Sequence, residues 1–156
     1  ADGIKEVQER AVFDIKCCFT LSSFLGLVLP LYIGYSGIEA MNMIRNGFEY
    51  KGMKYPAHAD ADKYYFQLVS NAIINNCDYA ELVVFCPYKS ELPEIYLLAQ
   101  DKPEMKWLSY ASDNEVPSLP DGGFFKNMNI ISFKIPQADK DFLTECVTKA
   151  GEMLIP

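Results

Sequence analysis

Two periods run through the hydrophobic residues of this chain. Alternation with period two marks strands, whose successive side chains point to opposite faces, and recurrence at three and four marks helices. Gly3 to Val7 and Ala11 to Cys18 read as two strands around the polar turn Gln8-Glu9-Arg10. Thr20 or Ser22 can cap a short helix that meets Pro30. Ser36-Gly37-Ile38-Glu39 has capping-box spacing, and Gly47 fits the far end of that helix. Glu49 to His58 reads as a loop, mildly basic with Arg45, Lys51, Lys54 and Lys63 in or beside it. Asp60 or Asp62 starts a helix to about Asn75, with Tyr65, Leu68, Val69, Ala72 and Ile73 as its buried stripe. Glu81 to Pro87, Glu94 to Gln100, Lys106 to Ala111 and Met128 to Ile135 read as strands. Asp101-Lys102-Pro103 and Pro120-Asp121-Gly122-Gly123 are turns. A last helix, about Asp139 to Leu154, has Leu143, Cys146, Val147, Ala150 and Leu154 at core spacing. Strands mixed with helices make the class α/β or α+β.

At 156 residues the chain is expected to form one domain over 1–156, large enough for a full core. Its longest apolar stretch, Phe24 to Ile33, contains Pro30 and is half the roughly 20 residues that span a bilayer, so no membrane partner is expected. No signal peptide is visible. Five cysteines, an odd number, and a single histidine argue against a Cys/His zinc site and for free thiols in a reducing compartment. The net charge of −7 counts against a nucleic-acid partner, because phosphate contact favours Lys and Arg. A local basic face on an acidic chain, or a cluster of carboxylates around a metal, would reconcile the two.

Chemistry enters at Val12-Phe13-Asp14-Ile15-Lys16. On a strand Asp14 and Lys16 share one face with Val12, and Phe13 and Ile15 take the other. A charged pair on so apolar a strand is costly unless it is paired or binds a metal. Twelve residues before Asp14 stands Asp2, in the turn dipeptide Asp2-Gly3. Two carboxylates at one end of a hairpin can hold Mg²⁺ or Mn²⁺ through oxygen, with the backbone carbonyl of Ile15 as a third ligand. Lys16 beside such an ion can orient a water or offset charge on a phosphate. The plainer reading of Asp14 and Lys16 is a surface strand with a solvated polar face. Pro120-Asp121-Gly122 with Ser132-Phe133-Lys134 is a similar arrangement without the second carboxylate, and reads as a turn and a strand.

Asp2-Gly3, then Asp14-Ile15-Lys16-Cys17-Cys18, then Tyr64-Tyr65-Phe66-Gln67 through Asn71, then Ala80 to Pro87 together resemble the phage lambda exonuclease-like (YqaJ-type) branch of the PD-(D/E)XK nucleases. The likeness covers roughly residues 1 to 90. It implies a restriction-endonuclease-like fold, a mixed central sheet flanked by helices. It also implies a Mg²⁺- or Mn²⁺-dependent deoxyribonuclease, a phage or prophage exonuclease acting on DNA in recombination in the bacterial cytoplasm. By the same resemblance Asp2 and Asp14 are metal ligands, Lys16 is the catalytic lysine, and Gln67 positions the active site or DNA. Tyr64, Gln67 and Asn71 lie on one helical face, which makes Tyr64 and Asn71 candidate DNA contacts. Ala1 and Cys18 stand where the family usually has proline. Family members also carry an upstream helix and strand that this sequence lacks, so the expectation is a fragment, a sheet completed by another chain, or a weakened site; the resemblance also allows a homo-oligomer.

The rival reading is a non-catalytic nucleic-acid-binding or assembly module on the same fold. His58, in Pro56-Ala57-His58-Ala59-Asp60-Ala61-Asp62, could join a metal loop, but helix-start aspartates explain that segment more simply. Trp107 is expected in the core, and Ser22-Ser23 as capping residues without a local base partner.

Overall fold

The structure, a computed structural model, describes residues 10–112 and 114–155. Asp2 and the strand expected over Gly3 to Val7 lie outside the described residues. The fold is mixed α and β: a three-stranded sheet, a two-stranded hairpin and five α-helices among the described residues. Strand β1 (Ala11–Cys17) is followed by helices α1 (Leu21–Tyr32) and α2 (Gly37–Asn46), strands β2 (Phe48–Tyr50) and β3 (Met53–Tyr55), and helix α3 (Ala61–Asn75). Then come β4 (Tyr79–Phe85), α4 (Leu92–Gln100), β5 (Met128–Lys134) and α5 (Gln137–Leu154).

The sheet order is β1-β4-β5, with β1 and β4 parallel and β4 and β5 antiparallel. A parallel pair needs a long crossover, and here it consists of α1, α2, the hairpin and α3. On one sheet face the register lines up Val12–Ala80–Phe133, Asp14–Leu82–Ile131 and Lys16–Val84–Asn129. Helices α1, α2 and α3 lie against the sheet on that side, and Phe24, Leu27, Ala40, Ile44, Tyr65 and Leu68 close over it as a buried core. The opposite face carries Phe13–Glu81–Ser132, Ile15–Val83–Ile130 and Cys17–Phe85–Met128.

Local chemistry accounts for most of these elements. Thr20 Oγ1 accepts from Ser23 N–H at 3.1 Å and caps α1, whose Phe24, Leu27 and Val28 recur at helical spacing toward the core. The helix does not stop at Pro30 but runs on to Tyr32. Pro30 is itself fully buried, and packing of its ring offsets the lost N–H donor. Ser36 precedes α2 without a side-chain cap bond, so the expected capping box is not formed. Gly47 ends α2 at φ 77°, and a Cβ there would sit 2.7 Å from the Tyr55 carbonyl oxygen. Only glycine lets that segment come so close.

Several expected elements differ. The segment read as a loop from Glu49 contains the β2–β3 hairpin, which turns through Lys51 (φ 48°) and Gly52 (φ 78°) and stacks Phe48 on Tyr55. Two consecutive positive φ values are the tight hairpin geometry, and lysine at the first of them hid the signal. The strand expected over Glu94 to Gln100 is helix α4. Its buried Leu92 and Ala99 and half-buried Ile95 and Tyr96 follow helical spacing, and Pro93 starts it. The strand expected over Lys106 to Ala111 is a 3₁₀ segment, Pro103–Tyr110, with Leu108 buried and Trp107 55% exposed rather than in the core. On α3 the stripe holds except for Ile73, which is 37% exposed. On α5 only Leu143 of the expected stripe packs on the core. Val147 and Leu154 are 64% and 83% exposed, because α5 meets α3 near its beginning, through Phe142 on Phe66, and then overhangs. No helix among the described residues is long and apolar enough to cross a membrane.

Candidate functional site

The site grows from the inverted polarity of β1. Its alternation sends Asp14 and Lys16 to the helix-covered side, each with 19% of its side chain exposed, and leaves Phe13 and Ile15 outside at 63% and 54%. Asp14 thus ends a row whose other members, Leu82 and Ile131, are fully buried. Such a carboxylate needs a partner. Lys16 Nζ lies 2.6 Å from Asp14 Oδ2. Oδ2 is buried, and its partner is the Lys16 ammonium, met as an ion pair outside hydrogen-bond angles.

Helix α3 supplies the rest. Lys16 Nζ donates to Gln67 Oε1 at 3.1 Å and stands 4.5 Å from the centre of the Tyr64 ring. Gln67 and Tyr64 are three apart, one turn of one face. The ammonium is therefore held by a carboxylate, an amide and an aromatic face, each a good partner for a cation. Asn71, a turn further along α3, is half-buried and gives its backbone carbonyl to Asn75 Nδ2. It lies outside this set. The structure thus brings together Asp14, Lys16, Gln67 and Tyr64, with Ile15 between the first two on the strand. Burial raises the pKa of Tyr64, helped by the negative charge of Asp60, Cys18 and Asp14 around it.

A second polar group adjoins the first. Ser23 Oγ lies 2.9 Å from His58 Nε2, and His58 Nδ1 accepts from the Asp60 N–H at 3.1 Å. Ser23 thus meets a histidine 35 residues away, beyond the local neighbours among which the sequence offered no base partner. No local spacing could reveal it. In the neutral ring, the bond at Nδ1 puts the imidazole proton on Nε2, facing Ser23. Histidine is then a donor to the hydroxyl, the reverse of what activates a serine nucleophile. Ser23 in turn bonds Cys18, lowering a thiol pKa that burial raises by more. His58 works here as a tie between α1 and the start of α3.

The later Asp-Gly behaves as read. Gly123 N–H returns to the Pro120 carbonyl at 3.2 Å, Asp121 accepts from Ser90, and Lys134 points out from the open sheet face. All five cysteines are free. Arg45, one of the basic residues beside the segment read as a loop, is bound to Asp62 at 2.7 Å and lies 3.8 Å from the Tyr65 ring centre.

For a divalent cation the described residues offer the Asp14 carboxylate, paired with Lys16 at 2.6 Å, and the carbonyl of Ile15, the next residue in the chain. Among the described residues no group of three or more His, Cys, Asp or Glu converges. The fit therefore covers one side of a coordination sphere, and Asp2, the expected second carboxylate, lies outside the described residues. No protein-family model, curated protein or solved structure matches this chain.

Proposed function

We propose that this chain is a metal-dependent deoxyribonuclease with a restriction-endonuclease-like fold, of the lambda exonuclease-like kind, encoded by a phage or prophage and acting on DNA in the bacterial cytoplasm. One observation carries the reading: Asp14 and Lys16 from β1 meet Gln67 from α3, 51 residues away, around a single ammonium. Those three are among the four positions the resemblance picks out, Asp2 being the fourth, and nothing in hydrophobic patterning requires them to meet. The parallel β1–β4 pair with its helical crossover is compatible with that fold.

In this reading Asp14, the Ile15 carbonyl and Asp2 hold Mg²⁺ or Mn²⁺. When bound, the ion would polarise the scissile phosphate and lower the pKa of a water so that hydroxide is available to attack. Lys16 offsets the charge that develops on the phosphate, and Gln67 and Tyr64 keep its ammonium in place.

The test is loss of ends from labelled linear duplex, with and without Mg²⁺. We expect metal-dependent hydrolysis that falls at least about a thousandfold, roughly 4 kcal/mol of barrier, in Asp14→Asn and in Lys16→Met. Thermal unfolding of both variants should stay cooperative. A second reading, a non-catalytic nucleic-acid-binding or assembly module on the same fold, is favoured by the net charge of −7. Calorimetry separates the two: a module binds no Mn²⁺ that Asp14→Asn abolishes.

A further inference from the structure

A cleft of about 770 Å³ opens beside the Lys16 cluster, between the first turns of α1, the β2–β3 hairpin and the segment from Pro56 to Asp60. Its walls are apolar, with Leu25 and Leu29 from α1, Phe48 from the hairpin and Phe125 opposite. Ser22 and Asp60 stand among the lining residues as polar groups. Asp60 makes no cap bond to α3, so its carboxylate is not spent on the helix. It is also the one carboxylate or ammonium among the lining residues.

The floor of the cleft is braced. The His58 ring lies over Gly26, where an added Cβ would come within 3.2 Å of His58 Cδ2. Its two nitrogens are fixed by Ser23 and the Asp60 N–H. Tyr64 joins this cleft to the first cluster. Its ring centre is 6.2 Å from that of His58 on one side, and 4.5 Å from Lys16 Nζ on the other.

These features select a ligand. A negative lining repels a phosphate but accepts from a ring N–H or an exocyclic amine, the donors of a nucleobase edge. Apolar and aromatic walls suit the face of a base, and such stacking tolerates any sequence. We propose that this cleft receives one unstacked base of a single-stranded or frayed nucleic-acid end, while the adjoining backbone lies at Lys16. Nucleic acid as the ligand rests on the nuclease reading; hydrolysis is not needed for the cleft to work.

The test measures binding by the full chain in EDTA at low salt. The probe is a short strand with 2-aminopurine at its terminal position, compared with the same strand carrying an abasic terminus. A saturable change in 2-aminopurine fluorescence is expected, with the abasic strand bound about tenfold more weakly. Gly26→Leu, which displaces the His58 ring from a helix position where leucine is otherwise favourable, should erase that preference. Ser22→Trp, at an exposed lining position, should do the same if the first variant folds poorly. Equal binding of the two strands, no binding at all, or a preference that survives both variants overturns the proposal. A base preference without Mg²⁺-dependent hydrolysis sinks the nuclease reading and leaves the cleft standing. Hydrolysis that treats abasic ends like normal ones does the reverse.

Discussion

The two faces of the three-stranded sheet hold similar apolar side chains in opposite surroundings. On the side toward α1, α2 and α3, Ala80, Leu82, Val84, Ile131 and Phe133 are at most 2% exposed. On the other, Phe13, Ile15, Met128 and Ile130 are 47–63% exposed, while Val83 between Ile15 and Ile130 on the central strand is buried. The edge strand β1 adds a contradiction, because it turns its charges inward and its phenylalanine outward. A slip of one residue would exchange the two sets and satisfy hydrophobicity better. The register is held instead by particular contacts: Asp14 and Gln67 on the Lys16 ammonium, the Tyr64 ring beneath it, and Val12 and Cys18 packed on the core. A strand that sets a buried ion pair above apolar burial is one where local rules yield to a site.

The largest expected effect lies in the covered face. Leu82 is fully buried at the centre of the sheet between Asp14 and Ile131. Leu82→Ala should cost about 2–5 kcal/mol, read from the urea midpoint, through lost transfer energy and the cavity left behind. Ile131→Ala should fall in the same range. Being neighbours, the two should not add. A cost under about 1 kcal/mol for either would mean that this face is not the core.

A smaller effect separates the faces by thiol chemistry. Cys86 is 2% exposed, and burial pushes its pKa from 9.0 up to about 11. The folded chain keeps this thiol neutral where the unfolded chain ionises it. Its contribution is therefore complete below pH 9 and is lost as pH rises through about 11. Roughly 2 kcal/mol of unfolding free energy should disappear across that window, and Cys86→Ala should flatten this part of the profile. Cys17, exposed on the open face, should react with iodoacetamide in the native state at pH 8, slowly because partial burial raises its pKa, and Cys86 only after unfolding. Equal rates for the two would erase the distinction between the faces at this end of the sheet.

What the sequence made legible follows the same division. Elements whose period agrees with their burial could be read directly: α3 from its stripe, β4 and β5 from their apolar runs, and Asp14 and Lys16 on one side of β1 from simple alternation. The meeting of Lys16 with Gln67 was expected only through a family likeness, since spacing alone says nothing of a helix 51 residues on. Failures came where pattern and environment parted. Ile95-Tyr96-Leu97-Leu98 is as apolar as a strand, yet α4 buries Leu92 and Ala99 and leaves Leu97 and Leu98 more than 60% exposed. The α5 stripe is a real amphipathic pattern whose second half covers nothing among the described residues. The Ser23–His58 tie depends on a glycine four residues before Pro30 leaving room for a ring, a fact of packing that no motif encodes.

The smallest expected effect is the sharpest test of the open face. Phe13 and Ile130 belong to neighbouring rows of the exposed side, and neither lies over the core. If that face meets only water, Phe13→Ser and Ile130→Ser should each change unfolding free energy by no more than about 0.5 kcal/mol. Binding of a hydrophobic dye such as ANS should fall in both, since contiguous exposed apolar area is what such a dye reads. A cost of 2 kcal/mol or more, growing with protein concentration, would mean that the face is covered in solution by a second copy. The inward charges of β1 would then be the ordinary result of a strand buried on both sides, and no site would be needed to hold its register.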